Sequence, residues 1–322
     1  MAGSVLVMAD ASLPSPASSP GRPFGRVLTA MVTPMTPDGA IDLDGAARLA
    51  SHLVEHGSDG LVISGTTGES ATTSDGEKEQ LLRAVLDAVG ERATVVAGVG
   101  TNDTAHTMEL AASAEKAGAH ALLAVTPYYN KPPQAGLLAH FRKVADGTSL
   151  PVMLYDIPGR TGVPLEVDTI VRLAEHPNIV AVKDAKLDLS ATSWVKARCD
   201  IAVYSGQDEY TLPLLAVGGI GVVGVVTHVV GTEMTAMVAA FERGDVAAAR
   251  TIHLQLMPVF TGMFRTQGLI LTKAALTMFG LPAGPVRLPL VDATPEQRAG
   301  LRADLERGGV AVPAENPVEA SA

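Results

Sequence analysis

The chain has one cysteine, Cys199, in 322 residues. That excludes an intramolecular disulfide and any cysteine-clustered zinc or iron–sulfur site, and it suits a reducing compartment. Aromatic residues make up only 4%, with a single tryptophan, so the core has to be built from small aliphatics. Positive charge is also short: 24 basic against 34 acidic residues leave a net charge of −10. That argues against a nucleic-acid partner, because binding it takes a basic footprint that displaces counterions from phosphate. A small anionic substrate stays open, since one local arginine outweighs a distant surplus of carboxylates. No apolar run is long enough to span a membrane. The longest apolar stretch, around 212–230, is broken by Pro213, several glycines and His228.

What is present is enough for a full-sized core. Hydrophobic residues make up 47% and the mean hydropathy is +0.25, which rules out disorder of the whole chain. Residues 1–23, rich in serine, proline and alanine, read as a disordered leader. They lack a basic start, and the apolar run 5–8 is too short for a signal sequence. Residues 313–322 read as a frayed tail. The expected compartment is the cytoplasm.

Short β-branched runs alternate with amphipathic stretches. Strand candidates are residues 26–34, 60–64, 94–99, 121–127, 151–157, 179–183, 201–204 and 222–227. Most are unbroken apolar runs, the mark of strands covered on both faces in a parallel sheet. Helical patterns fall over 43–55, 77–89, 104–116 and 165–174. Ser74-Asp-Gly-Glu77 is a capping-box start, and Gly90 is a stop signal. This alternation predicts an α/β fold, a (β/α)8 TIM barrel over 24–244, since an open doubly wound sheet usually has about five or six strands. From about Gly231 only helical patterns remain, over 235–241, 246–260, 269–278 and 295–306. Residues 245–312 are therefore expected to form a C-terminal helical appendage.

In such a barrel, function gathers at the C-terminal ends of the strands. Of eight lysines, only Lys183 ends an apolar strand, Ile-Val-Ala-Val-Lys. Desolvation there lowers the pKa of an ammonium and frees the amine as a nucleophile toward carbonyls. A lysine paired with Asp184 or Asp156 fits the same position. Gly65-Thr66-Thr67-Gly68 offers N–H groups and hydroxyls that suit a carboxylate or phosphate, or it is an ordinary strand-to-helix turn. Tyr155 and Tyr129 sit at strand ends, where a phenol relays protons or simply buries its ring. Arg160, in Pro-Gly-Arg-Thr-Gly, either grips a carboxylate with two N–H groups or lies in solvent.

Two signals are declined. Gly219-Ile-Gly221-Val-Val-Gly224 spells the dinucleotide fingerprint, but the β-branched residues after it are not expected to open a helix that would receive pyrophosphate. The histidines show no zinc-ligand spacing, and no metal or other cofactor is implied.

GTTGES at 65–70, VTPYYNKP at 125–132, LYDIPGRTG at 154–162 and AVKDA at 181–185 resemble the dihydrodipicolinate synthase family. That family belongs to the pyruvate-dependent class I aldolases, with N-acetylneuraminate lyase. The likeness runs in order from about 24 to 310, and SDGEKEQLLRAVLDAVG is similar to the actinobacterial branch. The resemblance implies a lyase condensing pyruvate with L-aspartate 4-semialdehyde, in lysine and diaminopimelate biosynthesis. It implies a Schiff base on Lys183 and a proton relay of Tyr155, Thr66 and Tyr129, with Tyr129 reaching in from a neighbouring subunit. The Thr66 and Thr67 amides and the Thr67 hydroxyl would hold pyruvate's carboxylate, and Arg160 that of the semialdehyde. Val223 stands where the family has an aliphatic residue with its carbonyl toward the site. Gly206 precedes a usually acidic pair, here Gln207-Asp208. The assembly implied is a homotetramer, a dimer of dimers.

Sibling lyases acting on sialic acid or keto-deoxy sugar acids share the lysine and tyrosine, but are not expected to carry an arginine at position 160. A catalytically idle keto-acid binder would be expected to have lost Lys183 or Tyr155, and both are present. Lysine-sensitive relatives bind that effector at a subunit interface. This chain keeps Asn102 and Tyr128 there, but has Lys78 for a histidine and His106 for a glutamate. Inhibition by lysine is therefore expected to be weak or absent.

Overall fold

The computed structural model describes residues 22–314. The leader expected over 1–23 lies outside the described residues except for Arg22 and Pro23, and the tail over 313–322 except for Pro313 and Ala314. Eight parallel strands close a barrel in chain order. They are β1 (Val27–Ala30), β2 (Gly60–Ile63), β3 (Thr94–Gly98), β4 (Ala121–Val125), β5 (Val152–Asp156), β6 (Ile179–Asp184), β7 (Ala202–Ser205) and β8 (Gly221–Gly224). Around them run α1 (Leu43–Glu55), α2 (Asp75–Val89), α3 (Thr104–Ala117), α4 (Gln134–Asp146), α5 (Pro158–Thr161), α6 (Val167–Leu173), α7 (Leu189–Lys196) and α8 (Thr211–Ala216). Four helices follow: α9 (Thr227–Glu242), α10 (Val246–Gly262), α11 (Gly268–Met278) and α12 (Pro295–Arg307). This is the predicted (β/α)8 barrel with helices at its C-terminal side.

The strands read as unbroken apolar runs because alternate side chains enter two different apolar environments. Met153, Tyr155, Ala181, Ala202 and Tyr204 pack in one cluster, with the barrel interior, while Leu154, Val182 and Val203 pack with the surrounding helices. Lys183 lies two residues after Ala181 and so continues the inward series. Where β1 begins, Phe24 and Tyr204 pack with ring centroids 6.2 Å apart, and the Tyr204 hydroxyl donates to Gly25 O at 2.9 Å. The capping box forms at α2: the Ser74 N–H donates to Glu77 Oε2 at 2.8 Å, and the Glu77 N–H donates to Ser74 Oγ at 3.3 Å.

The end of β8 differs from the sequence reading. The strand stops at Gly224, and α9 opens at Thr227, so the β-branched residues do enter a helix, with a kink at Val230. Tertiary hydrogen bonds decide this. Asp208 accepts the N–H groups of Val225 at 3.1 Å and Val226 at 3.4 Å, which occupies the amides ahead of α9. His228 bonds Val225 O through Nδ1 at 2.7 Å and accepts the Val32 N–H at Nε2 at 3.1 Å. Such bonds outweigh propensity differences of about 0.7 kcal/mol or less per residue. The short helices α5 and α8 form where the sequence offers no helical pattern, and α4 follows Pro133, which provides no side-chain cap.

The loop between α11 and α12 turns back across the end of the barrel where β1 finishes. The Met35 N–H donates to Ala283 O at 3.0 Å. Gly284, at φ +68°, permits this approach, since a Cβ there would lie 1.8 Å from Met35 O.

Candidate active site

Lys183 is the penultimate residue of β6 and is 5% exposed. The two carboxylates that fit it as partners are engaged elsewhere. Asp156 accepts from Lys186 Nζ and from the Leu165 N–H, both at 3.0 Å. Asp184 accepts from Thr192 Oγ1 at 2.7 Å and from the Lys186 N–H at 2.9 Å. Lys183 Nζ lies instead 4.3 Å from the centroid of the Tyr155 ring. Burial pushes its ammonium down to about 8; the Asp208 charge opposes this and the Arg160 charge adds to it. The amine is thus neutral in a useful fraction of molecules near neutral pH.

Tyr155 pairs in register with Lys183 across β5 and β6. Burial pushes its phenol up to about 12, against the Arg160 charge and a hydrogen bond with Thr66. It is therefore held as a phenol, able to give a proton and take it back. Asp208 is buried beside β8, where burial raises its carboxyl to about 6 although the Val225 and Val226 amides favour the charged form.

The turn after β2 is bracketed by two left-handed residues, Ser64 at φ 53° and Glu69 at φ 58°. The N–H groups of Gly68 and Ser70 donate to Gly65 O at 3.1 and 3.2 Å, and Thr33 Oγ1 donates to Gly68 O at 2.7 Å. Gly98 lets β3 pass close behind, since a Cβ there would lie 2.4 Å from Ser64 O. Across the mouth, Pro158 starts the single turn α5 and Gly162 ends it at φ +79°, which fixes the segment carrying Arg160.

A cavity of about 460 Å³ opens here, and Thr66, Tyr129, Tyr155 and Arg160 line it. Lys183, Thr67, Gly206 and Val223 are not among its lining residues, though Lys183 contacts Tyr155, which is. Gly206 ties the end of β7 to β6 through its N–H, 2.7 Å from Asp184 O. Val223 is buried within β8, paired with Leu28 of β1. Tyr129, left-handed at φ 72°, is 88% exposed at the rim.

Sequence reasoning missed the outer wall. Gln267, which caps α11, Leu269 in its first turn, and Arg287, Pro289 and Leu290 from the loop after it also line the cavity. No local pattern marks them, because they meet the barrel across roughly 200 residues of chain and only the fold joins the two. Among the described residues, no cluster of His, Cys, Asp or Glu could hold a metal ion, and no helix is long and apolar enough to cross a membrane.

The model of the dihydrodipicolinate synthetase family matches residues 23–307. The chain belongs to that family. Its match to the 4-hydroxy-tetrahydrodipicolinate synthase of Acidothermus cellulolyticus is 74% identical over 287 residues, 89% of this chain and 93% of that one. 4-Hydroxy-tetrahydrodipicolinate synthase 2 of Streptomyces coelicolor is 64% identical over 92% of this chain and 99% of its own. A crystal structure of DHDPS from Cyanidioschyzon merolae with lysine bound superposes with a TM-score of 0.88 at 44% identity. It covers 89% of this chain and 99% of that one.

Proposed function

We propose that this member of the dihydrodipicolinate synthetase family is a lyase that condenses pyruvate with L-aspartate 4-semialdehyde through a Schiff base on Lys183. The observation that carries the reading is a buried lysine whose neighbouring carboxylates are bonded elsewhere, lying on a tyrosine face beside the cavity. The names of the relatives, 4-hydroxy-tetrahydrodipicolinate synthases, favour it over a sibling lyase for sialic acid or a keto-deoxy sugar acid. The product feeds diaminopimelate and lysine synthesis.

The neutral Lys183 amine adds to the keto carbon of pyruvate, and loss of water leaves an iminium. The positive nitrogen acidifies the adjacent methyl group, which gives up a proton to form an enamine. That iminium is the electron sink, so the reaction as written calls for no cofactor. Tyr155, hydrogen-bonded to Thr66, moves these protons, with Tyr129 completing the relay from a neighbouring subunit. The enamine carbon bonds to the aldehyde carbon of the semialdehyde, and the resulting alkoxide takes a proton from the relay. The semialdehyde's own amine then attacks the iminium carbon, closes the ring and expels Lys183 as an amine.

The Thr66 and Thr67 amides, with the Thr67 hydroxyl, hold pyruvate's carboxylate. Arg160 holds the carboxylate of the second substrate by charge-assisted bonds. Gly206 and Val223 complete the site from β7 and β8. Two adjacent exposed tyrosines, Tyr128 at 38% and Tyr129 at 88%, support a homo-oligomer; its form as a dimer of dimers, and work in the cytoplasm, follow from the family resemblance. Borohydride reduction in the presence of pyruvate, followed by mass spectrometry, tests the reading. The adduct is expected on Lys183; an adduct on Lys186, or none, overturns the Schiff-base assignment.

A further inference from the structure

The mechanism leaves one buried charged cluster unused. Glu69 follows directly on the Thr66–Gly68 turn, with its side chain 1% exposed, and its partner Lys273 in α11 is 3% exposed. Lys273 Nζ donates to Glu69 Oε1 and to Pro285 O, both at 2.7 Å. The Arg287 N–H donates to Glu69 Oε2 at 2.8 Å. The Arg287 guanidinium continues to Gly39 O at 2.9 Å, Thr72 O at 2.8 Å and the Glu77 carboxylate. The backbone of Glu69 is left-handed at φ 58°, a conformation a residue with a Cβ keeps only when its surroundings hold it. The Glu69 N–H donates to Thr66 O at 3.2 Å, and Thr72 and Thr73 hydroxyls donate to Glu69 O. A shift of Glu69 is thus passed straight to Thr66.

We propose that Glu69 and Lys273 are positioning residues: their buried ion pair uses the C-terminal helices to hold the 65–70 turn in the form that receives the keto acid's carboxylate. The proposal rests on the pyruvate reading above. Glu69 lines the cavity, but its carboxylate is taken up by Lys273 Nζ and the Arg287 N–H, so the pair acts through Thr66 and Thr67. Arg160 stands on a different segment, after β5, and Lys183 on β6, so breaking the pair separates the two substrates.

The test is a cycle of Lys273→Met, Glu69→Gln and the double variant, in the full chain. It reads the pyruvate concentration for half-maximal borohydride trapping, both KM values, kcat and the melting temperature. Each single variant is expected to raise the pyruvate half-saturation about tenfold and to lower kcat through the Thr66 relay, with the semialdehyde KM within about threefold of wild type. The double variant should be no worse than the worse single, because the two residues act as one unit. If Lys273→Met does not fold, the double variant, which strands no buried charge, supplies the measurement. Unchanged pyruvate half-saturation in a folded variant, additive effects, or equal rises in both KM values overturn the proposal. Wild-type protein is trapped first: failure to form a Lys183 adduct removes the pyruvate reading itself, and this proposal with it.

Discussion

At the mouth of the barrel and in the helices that follow it, two lysines are buried to nearly the same depth, Lys183 at 5% and Lys273 at 3% exposure. Burial pushes both ammonium groups below their ordinary value. Their partners differ. Lys273 is bonded directly to Glu69 and to the Pro285 carbonyl, and the Glu69 hydrogen bond and charge oppose what burial does. At Lys183, Asp156 and Asp184 are occupied by Lys186 and Thr192, and Asp208 is bonded to the Val225 and Val226 amides. Depth alone therefore does not make an amine reactive. A bonded carboxylate makes a buried lysine a strut; neighbouring carboxylates turned elsewhere leave it free to attack a carbonyl.

The largest expected effect breaks this comparison at one end. Lys183→Ala should abolish pyruvate trapping and cut turnover on the order of 10⁴-fold or more, measured in a coupled assay. Lys183→Met also removes a buried charge with no bonded carboxylate, so its melting temperature should match or exceed that of wild type. Lys273→Met strands Glu69 and should cost about 3–5 kcal/mol of stability. Equal shifts in melting temperature for the two methionine variants would erase the distinction.

Arg160→Ala comes next. It should lower kcat/KM for the semialdehyde by about 10- to 150-fold, the loss of roughly 1.5–3 kcal/mol of charge-assisted binding. Half-saturation of trapping by pyruvate should stay near wild type. Unchanged kinetics for the semialdehyde would remove Arg160 from the site.

Lys183 and Lys273 also differ in how far the sequence announces them. Lys183 ends an unbroken apolar run, so desolvation could be read from five consecutive residues. The same property made the eight strands legible, because a strand covered on both faces has little choice of composition. Lys273 sits in Leu-Ile-Leu-Thr-Lys-Ala-Ala-Leu, an amphipathic-looking helix in which a lysine ordinarily snorkels to water. Its partner lies 204 residues away, and no local spacing records that. The start of α9 is illegible in the sequence for the same reason, since the hydrogen bonds that set it are made with Asp208 and Val32, from other segments. Likewise, Asp156 and Asp184 stayed open as partners of Lys183 until Lys186 and Thr192 were seen to occupy them.

A smaller effect sharpens the reactive end of the comparison. With the Lys183 ammonium at about 8, raising pH from 7 to 8 converts it to the amine that attacks. The fraction deprotonated rises about fivefold over that unit, and the trapping rate at limiting pyruvate should follow it. A rate flat between pH 6 and 9 would mean that amine protonation does not limit attack.

The smallest expected effect is that of added lysine, and it again depends on whether a carboxylate is free. An effector carrying ammonium groups needs carboxylate acceptors. Near the position where lysine-sensitive relatives are expected to bind it, Asp75 is already contacted from two sides. His106 Nε2 lies 3.0 Å from Asp75 Oδ2, and Lys78 Nζ lies 3.9 Å from Asp75 Oδ1 while donating to Thr73 O. Lys78 adds a like charge whose repulsion at a partly exposed site is about 1 kcal/mol or more. A histidine in place of a glutamate removes one charged hydrogen bond, worth about as much again. Together these weaken binding by more than about tenfold. Titrating lysine into the assay should leave activity unchanged below millimolar concentrations. Half-inhibition by submillimolar lysine would show that Lys78 and His106 face away from the effector's charges and that another carboxylate receives them.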